Sequence, residues 1–254
     1  MKQLKILTVT HKPYIFPQDK IYYPIQVGRE LDSKSLGFLS DNEGINISNK
    51  NKSFCELTAI YWAWQNHFFV DCDYVGLTHY RRFFKGFGSQ VKGQYILSAS
   101  EIIGLMENYD VIVPKHRNYW IETVYSHYQH AHHISDLECV KEIIKIHFHD
   151  YLTAFKQVMQ GKTLYLYNMF VLKKEDFDVY CNWLFPILFE LEKQIDITQY
   201  DSYQKRVFGF ISERLFNVWL VHHQLKLCEI PVVNLEGENL LNKGINLLKR
   251  KFLR

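Results

Sequence analysis

With 254 residues, 47% of them apolar and 16% aromatic, the chain has material for a packed core in one large domain or two small ones. Five basic residues and no acid follow Glu238 and outweigh the net charge of +3, so the rest is slightly acidic and reads against nucleic-acid binding. Five scattered cysteines without a CxxC pair, a strand-like start with no signal peptide, and no apolar run near the roughly 20 residues of a membrane span predict a cytoplasmic protein.

In chain order, Lys5 to Thr10 alternates and is β-branched, the pattern of a first strand. His11 to Gly28 is a loop rich in proline and tyrosine, and the polar stretch Asp41 to Lys52 around Gly44 is another. Ser53-Phe-Cys-Glu56 has the spacing of a capping box and opens a predicted helix through Asn66. Tyr74 to Leu77 is a strand, Ser98-Ala-Ser-Glu101 caps a short helix, and Tyr109 to Pro114 is a buried strand stopped by proline. His116 to His133 has no clean period. Ser135-Asp-Leu-Glu138 caps a longer helix on which Leu137, Val140, Ile144, Tyr151, Phe155 and Val158 recur at helical spacing. A strand over Thr163 to Leu172, helices over Asp178 to Gln194 and Val207 to Gln224, and a strand over Leu227 to Leu235 complete the pattern. This alternation predicts a single α/β domain over residues 1–238 with a mainly parallel sheet. Leu241, Ile245, Leu248 and Phe252 lie beside basic residues, so 239–254 reads as a basic amphipathic tail, suited equally to a membrane surface or to packing on the domain.

The most informative stretch is Asp73 to Arg82, where a buried strand runs into His79, Tyr80, Arg81 and Arg82. Desolvating a guanidinium is costly unless it meets an anion, and in α/β proteins ligands sit at the carboxyl ends of strands. The stretch therefore reads either as an anion site for a phosphorylated substrate or as two arginines paired with carboxylates. No GxGxxG, GxxxxGK[ST], GxSxG or HExxH pattern occurs. Asp71-Cys-Asp73 precedes its strand and Asp176-Phe-Asp178 opens a helix, so turn and helix-start duty is favoured over metal binding. His127, His130, His132 and His133 lack clear ligand spacing and are expected at a surface or substrate edge. Glu213 lies on a helix beside Phe210, Leu215, Val218 and Trp219. An apolar wall raises a carboxylate pKa, as a general base needs, and an ion pair with Arg214 or Arg206 is the equal alternative.

Together the blocks Thr10-His-Lys-Pro13, Asn46-Ile-Ser48, Cys55 to Trp62, Tyr74 to Arg82, Asn168-Met-Phe170 and Gly209 to Leu215 resemble the bacterial capsular and exopolysaccharide glycosyltransferases that carry a long-uncharacterised domain. The resemblance spans about Lys5 to Leu235, and the Glu-Leu-Thr-x-x-Tyr-Trp and His-Tyr-Arg-Arg blocks are its most specific parts.

The resemblance implies a glycosyltransferase A-like fold and a UDP-sugar donor, with galactofuranose the leading sugar because some relatives are linked to its transfer. It implies a lipid-linked oligosaccharide acceptor at the inner membrane face. Thr8, Thr10, His11, Asn46, Ser48, Asn51, Tyr80 and Asn168 are expected to line the nucleotide and donor pocket. His79, Arg81 and Arg82 stand where related folds keep metal-binding acids, so a divalent cation, Mn or Mg, is compatible but not required. Arg81 and Arg82 are expected to hold the leaving diphosphate and Glu213 to take the acceptor proton with inversion. Glu56 is expected as a helix cap, and Trp62 and Trp64 as core. The alternatives are a phosphate-ester or nucleotide hydrolase and a non-catalytic nucleotide-sugar or glycan-binding subunit.

Overall fold

A computed structural model describes residues 2–237. The central strands are β1 (Leu4–Thr10), β2 (Tyr22–Gln26), β3 (Leu39–Ser40) and β4 (Tyr74–His79). A hairpin of β5 (Arg82–Val91) and β6 (Gln94–Ile96) follows, then β7 (Val111–Pro114) and the short β8 (Arg117–Asn118). The last strands are β9 (Thr163–Leu164), β10 (Phe170–Lys173), β11 (Leu227–Ile230) and β12 (Val232–Asn234). The helices are α1 (Asn51–Phe54), α2 (Leu57–Gln65), α3 (Ala99–Met106) and α4 (Val124–Ala131). They continue as α5 (Ile134–His147), α6 (Leu152–Gln160), α7 (Lys174–Gln194) and α8 (Val207–His222).

The main sheet runs β11-β7-β10-β4-β1-β2-β3, parallel except for β10, which enters antiparallel between β4 and β7. Residues alternate between its two faces, as strand geometry requires. Leu7, Val9, Val75, Leu77 and Leu172 face α2 and α5–α8, whereas Ile6, Ile112 and Val171 face the β5–β6 hairpin, β12 and α3. Covered on both sides, β1 and β4 are almost entirely buried, which explains their near-continuous apolar sequences. Gly76 on β4 lets β10 approach: a Cβ there would meet the Phe170 carbonyl oxygen at 2.8 Å. The expected α/β architecture, with a mainly parallel sheet between helical layers, is the one observed.

Several local expectations need correction. The helix expected over Ser53–Asn66 is two helices, broken where Cys55 takes a φ of 53°. No capping box forms there: Ser53 Oγ donates to the Lys50 carbonyl, and the Glu56 side chain makes no cap bond. The box at Ser98 and Glu101 does form. The Ser135 box is absent because α5 already starts at Ile134, and the expected single helix ends at His147, with α6 following after a 3-10 turn. The expected strand Thr163–Leu172 is interrupted by a left-handed turn at Tyr167 and Asn168. The expected strand Leu227–Leu235 divides at Pro231, its halves pairing with β7 and β5. The aperiodic stretch holds β8 and α4, the latter capped by Thr123 and Ser126.

Asp73 accepts from Lys2 Nζ and the Gln3 amide, each at 2.7 Å, and Asp176 sits in the first turn of α7. Trp62 is buried and Trp64 stacks on Phe185. The expected tail at 239–254 lies outside the described residues. Among the described residues, no helix is long and apolar enough to cross a membrane.

One buried carboxylate holds the loop between β2 and α1. Asp41 accepts from the amides of Gly28 (2.8 Å) and Arg29 (3.1 Å) and from the hydroxyls of Ser48 (2.5 Å) and Thr58 (2.6 Å). A buried carboxylate is tolerable only with such complete satisfaction. Asp41→Ala orphans the two amides and the Ser48 hydroxyl, while Thr58 Oγ keeps the Cys55 carbonyl at 3.1 Å, and is expected to cost about 3 kcal/mol or more of unfolding free energy, measured by urea denaturation against Thr58→Val, expected to cost about 1 kcal/mol.

Candidate active site

At the carboxyl ends of β1 and β4 lies a cleft of about 980 Å³. Of the residues singled out by sequence, Thr10, His11, Asn51, His79, Tyr80, Arg81, Arg82 and Glu213 line it. Thr8, Asn46, Ser48 and Asn168 do not. Thr8 is buried in the sheet with its hydroxyl 3.0 Å from that of Thr78, and Ser48 is spent on Asp41. Asn46 stabilises its own loop, donating to the Asn42 and Gly44 carbonyls. Asn168 stands directly behind the lining residues, its Nδ2 donating to Glu56 Oε1 at 2.6 Å.

The back of the cleft is organised by the turn between β9 and β10. Tyr167 and Asn168 have φ values of 75° and 51°, both left-handed. Asparagine accepts that region readily; tyrosine does so at a cost of about 1 kcal/mol or more. In this conformation the Tyr167 amide donates to Glu213 Oε1 at 2.7 Å, and its carbonyl accepts from His79 Nε2, also at 2.7 Å. A carbonyl can only accept, so Nε2 carries the hydrogen and Nδ1 is left as an acceptor. Burial, then the charges of Arg82 and Arg81, pushes the His79 pKa down to about 4, so the ring is neutral at ordinary pH.

Two carboxylates share the cleft. Glu213 on α8 is fully engaged, its Oε1 by the Tyr167 amide and its Oε2 by Arg214 Nη1 at 3.1 Å. The ion-pair alternative for Glu213 is therefore realised with Arg214. Burial nevertheless raises the Glu213 pKa, against the opposing pull of Arg214 and the Tyr167 amide. Glu56, expected as a cap, instead lines the cleft at the break between α1 and α2. Burial raises its pKa too, partly offset by the Asn168 hydrogen bond.

The two arginines differ. Arg81 pairs with Glu236 (3.1 Å), which also holds Lys12 (2.9 Å), so the carboxylate alternative holds for Arg81. Arg82 lies 4.5 Å over the Tyr167 ring, and its buried Nε has no hydrogen-bond partner among the described residues. Arg81 lies in the turn between β4 and β5 whereas Arg82 opens β5, so the two side chains leave the backbone from different settings. Arg206, which sequence weighed only as an ion-pair partner, also lines the cleft and donates to Cys55 Sγ at 3.4 Å. Lys52 and Lys205 stand at the same wall. Of the histidines, His127 and His132 line the cleft, whereas His130 pairs with Glu122 and His133 stacks on Tyr200. Among the described residues no group of three or more His, Cys, Asp or Glu is placed to hold a metal ion.

A family described as "Domain of unknown function (DUF4422)" matches residues 5–224. The chain belongs to this family. Among solved structures it resembles the chain titled "WbbM bifunctional glycosytransferase apo structure", with 33% identity and a TM-score of 0.82. The match covers 93% of this chain and 46% of that one, so the chain spans about half the length of that relative. No curated protein matches.

The depressed His79 pKa carries a stability consequence. The unfolded imidazole, with an ordinary pKa near 6.5, binds a proton that the folded ring refuses until about pH 4. Stability is thus complete above pH 6.5 and lost as the pH falls toward 4, by about 3 kcal/mol. Urea denaturation between pH 7 and 4 should show this acid slope, and His79→Gln should reduce it.

Proposed function

We propose that the chain is a glycosyltransferase that moves a sugar from a UDP-sugar donor, with galactofuranose the leading candidate, to a lipid-linked oligosaccharide in capsular or exopolysaccharide synthesis. The observation that carries this reading is Arg82: a guanidinium whose buried Nε has no partner among the described residues, at the carboxyl end of the sheet and in the same cleft as two carboxylates. Such a donor is suited to the charge that builds on a departing nucleoside diphosphate. The likeness to a bifunctional glycosyltransferase supports the same chemistry.

Arg206 faces the same space and is the second candidate for the diphosphate, while Arg81 meets it only by giving up Glu236. His11 and Tyr80 are the candidate contacts for nucleotide or sugar, with Thr10 and Asn51 beside them, although the Thr10 hydroxyl donates to the Lys12 carbonyl and Asn51 Nδ2 to the Cys55 carbonyl and the Thr58 hydroxyl. The proton of the acceptor hydroxyl passes to a cleft carboxylate, with inversion at the anomeric carbon. The reading routes no step through a divalent cation.

Thermal-shift measurements with UDP and UDP-sugars, in EDTA and with added Mn²⁺, test donor binding directly, since a ligand of the native state raises the melting temperature. A shift that survives EDTA, disappears in Arg82→Ala and persists in Arg81→Ala is expected. No shift with any nucleotide would overturn the reading, and sugar release to water without an acceptor would favour a hydrolase. Peripheral contact of the basic segment 239–254 with an anionic inner-membrane surface belongs to the same proposal. Deleting those residues is expected to abolish co-sedimentation with anionic liposomes.

A further inference from the structure

We infer that Glu56, rather than Glu213, is the general base that takes the proton of the acceptor hydroxyl. The inference rests on the transferase reading and concerns which of the two cleft carboxylates is chemically available.

Glu213 has both oxygens engaged, one by a backbone amide and one by a buried guanidinium. An attacking hydroxyl would have to displace one of these partners before it could deliver a proton. Displacing Arg214 would leave a cation that is only 3% exposed without its counter-charge. Glu56 has no cation at ion-pair distance among the described residues, and its Oε1 accepts from a neutral amide, Asn168 Nδ2. That bond and one from its own backbone amide orient the carboxylate, and among the described residues it accepts from no other side chain. Asn168 is itself set by its left-handed backbone and holds a second contact, to the Gly209 carbonyl. The groups that act on Glu56 from the surrounding elements are Arg206, Arg82, Glu213, Cys55 and Tyr180. Both arginines lie on the wall assigned to the diphosphate, so Glu56 stands within the electrostatic reach of the leaving group.

In this step the acceptor oxygen forms the new bond to the anomeric carbon, and its proton goes to the Glu56 carboxylate, whose hydrogen bonds come from the neutral Asn168 amide and its own backbone amide rather than from a cation. The bond from the anomeric carbon to the phosphate oxygen breaks, and its electron pair leaves with the nucleoside diphosphate toward Arg82 and Arg206. Glu213 is then a positioning residue: it fixes the Tyr167 amide and hence the turn that presents Asn168 to Glu56.

The experiment compares Glu56→Gln and Glu213→Gln in the full chain, by steady-state transfer from a UDP-sugar across pH 4.5–8 and by the UDP-induced thermal shift. A base must be ionised, so wild-type kcat is expected to fall as the pH drops through a carboxylate pKa raised above its usual value. Glu56→Gln should lower kcat by about 10²–10⁴-fold, keep the UDP shift and lose the acid limb from its residual activity. Glu213→Gln should lose activity through both kcat and KM while keeping the acid limb. The assignment is overturned if Glu56→Gln retains kcat within a few-fold, or if the acid limb vanishes in Glu213→Gln instead. Wild-type protein that neither shifts with UDP nor transfers sugar overturns the transferase reading itself, a result distinct from either.

Discussion

Two consecutive left-handed residues hold this cleft together. Tyr167 and Asn168 interrupt what would otherwise be one strand, and the interruption turns three hydrogen-bonding groups toward three different elements. The Tyr167 carbonyl reaches the end of β4 at His79, its amide reaches α8 at Glu213, and the Asn168 amide reaches the start of α2 at Glu56. Elements far apart in sequence thereby share one fixed reference. The conformational strain at Tyr167 is offset by these bonds and by the Arg82 guanidinium lying on its ring.

The electrostatics follow from that frame. Cations and carboxylates in the cleft are not simply neutralised against one another. Arg214 and Arg81 are each matched to a carboxylate, whereas Arg82 and Glu56 have none and no cation, respectively, at ion-pair distance among the described residues. A neutral histidine lies between sheet and turn, so its ring adds direction without adding charge. The matched pairs fix geometry, and the unmatched groups keep the interaction strength that a low-dielectric site confers.

Much of this was legible in the sequence where the signal is periodic. β1, β4, β7, α7 and α8 follow their apolar patterns closely, because burial on one or both faces dictates residue type. The Asp73–Arg82 stretch does run into the cleft, but the argument from guanidinium desolvation applies to Arg82, whose Nε is buried, and not to Arg81, which is 40% exposed and paired with Glu236. What failed were breaks that periodicity reads through. Cys55 adopts a positive φ without glycine or proline to announce it, and that single kink starts a new helix at Glu56, whose side chain makes no cap bond and lines the cleft instead. Asn168, a residue tolerant of the left-handed region, is the one sequence signal of a break inside that strand-like run. Arg206 sits in a short 3-10 turn with no pattern of its own. Ser48 and Thr8 have the chemistry of ligand contacts but spend it inside the fold, Ser48 on Asp41 of its own loop and Thr8 on Thr78, 70 residues away.

Gly76 gives the sheet an influence on chemistry that its position conceals. It is buried on β4, carries no functional group, and stands against the backbone of β10 immediately after the Tyr167–Asn168 turn. Any side chain there must push β10 aside, and the turn moves with the strand it leads into. In a survey of substitutions this glycine would therefore score like a catalytic residue while touching no ligand, because tolerance at the cleft is inherited from clearance within the sheet.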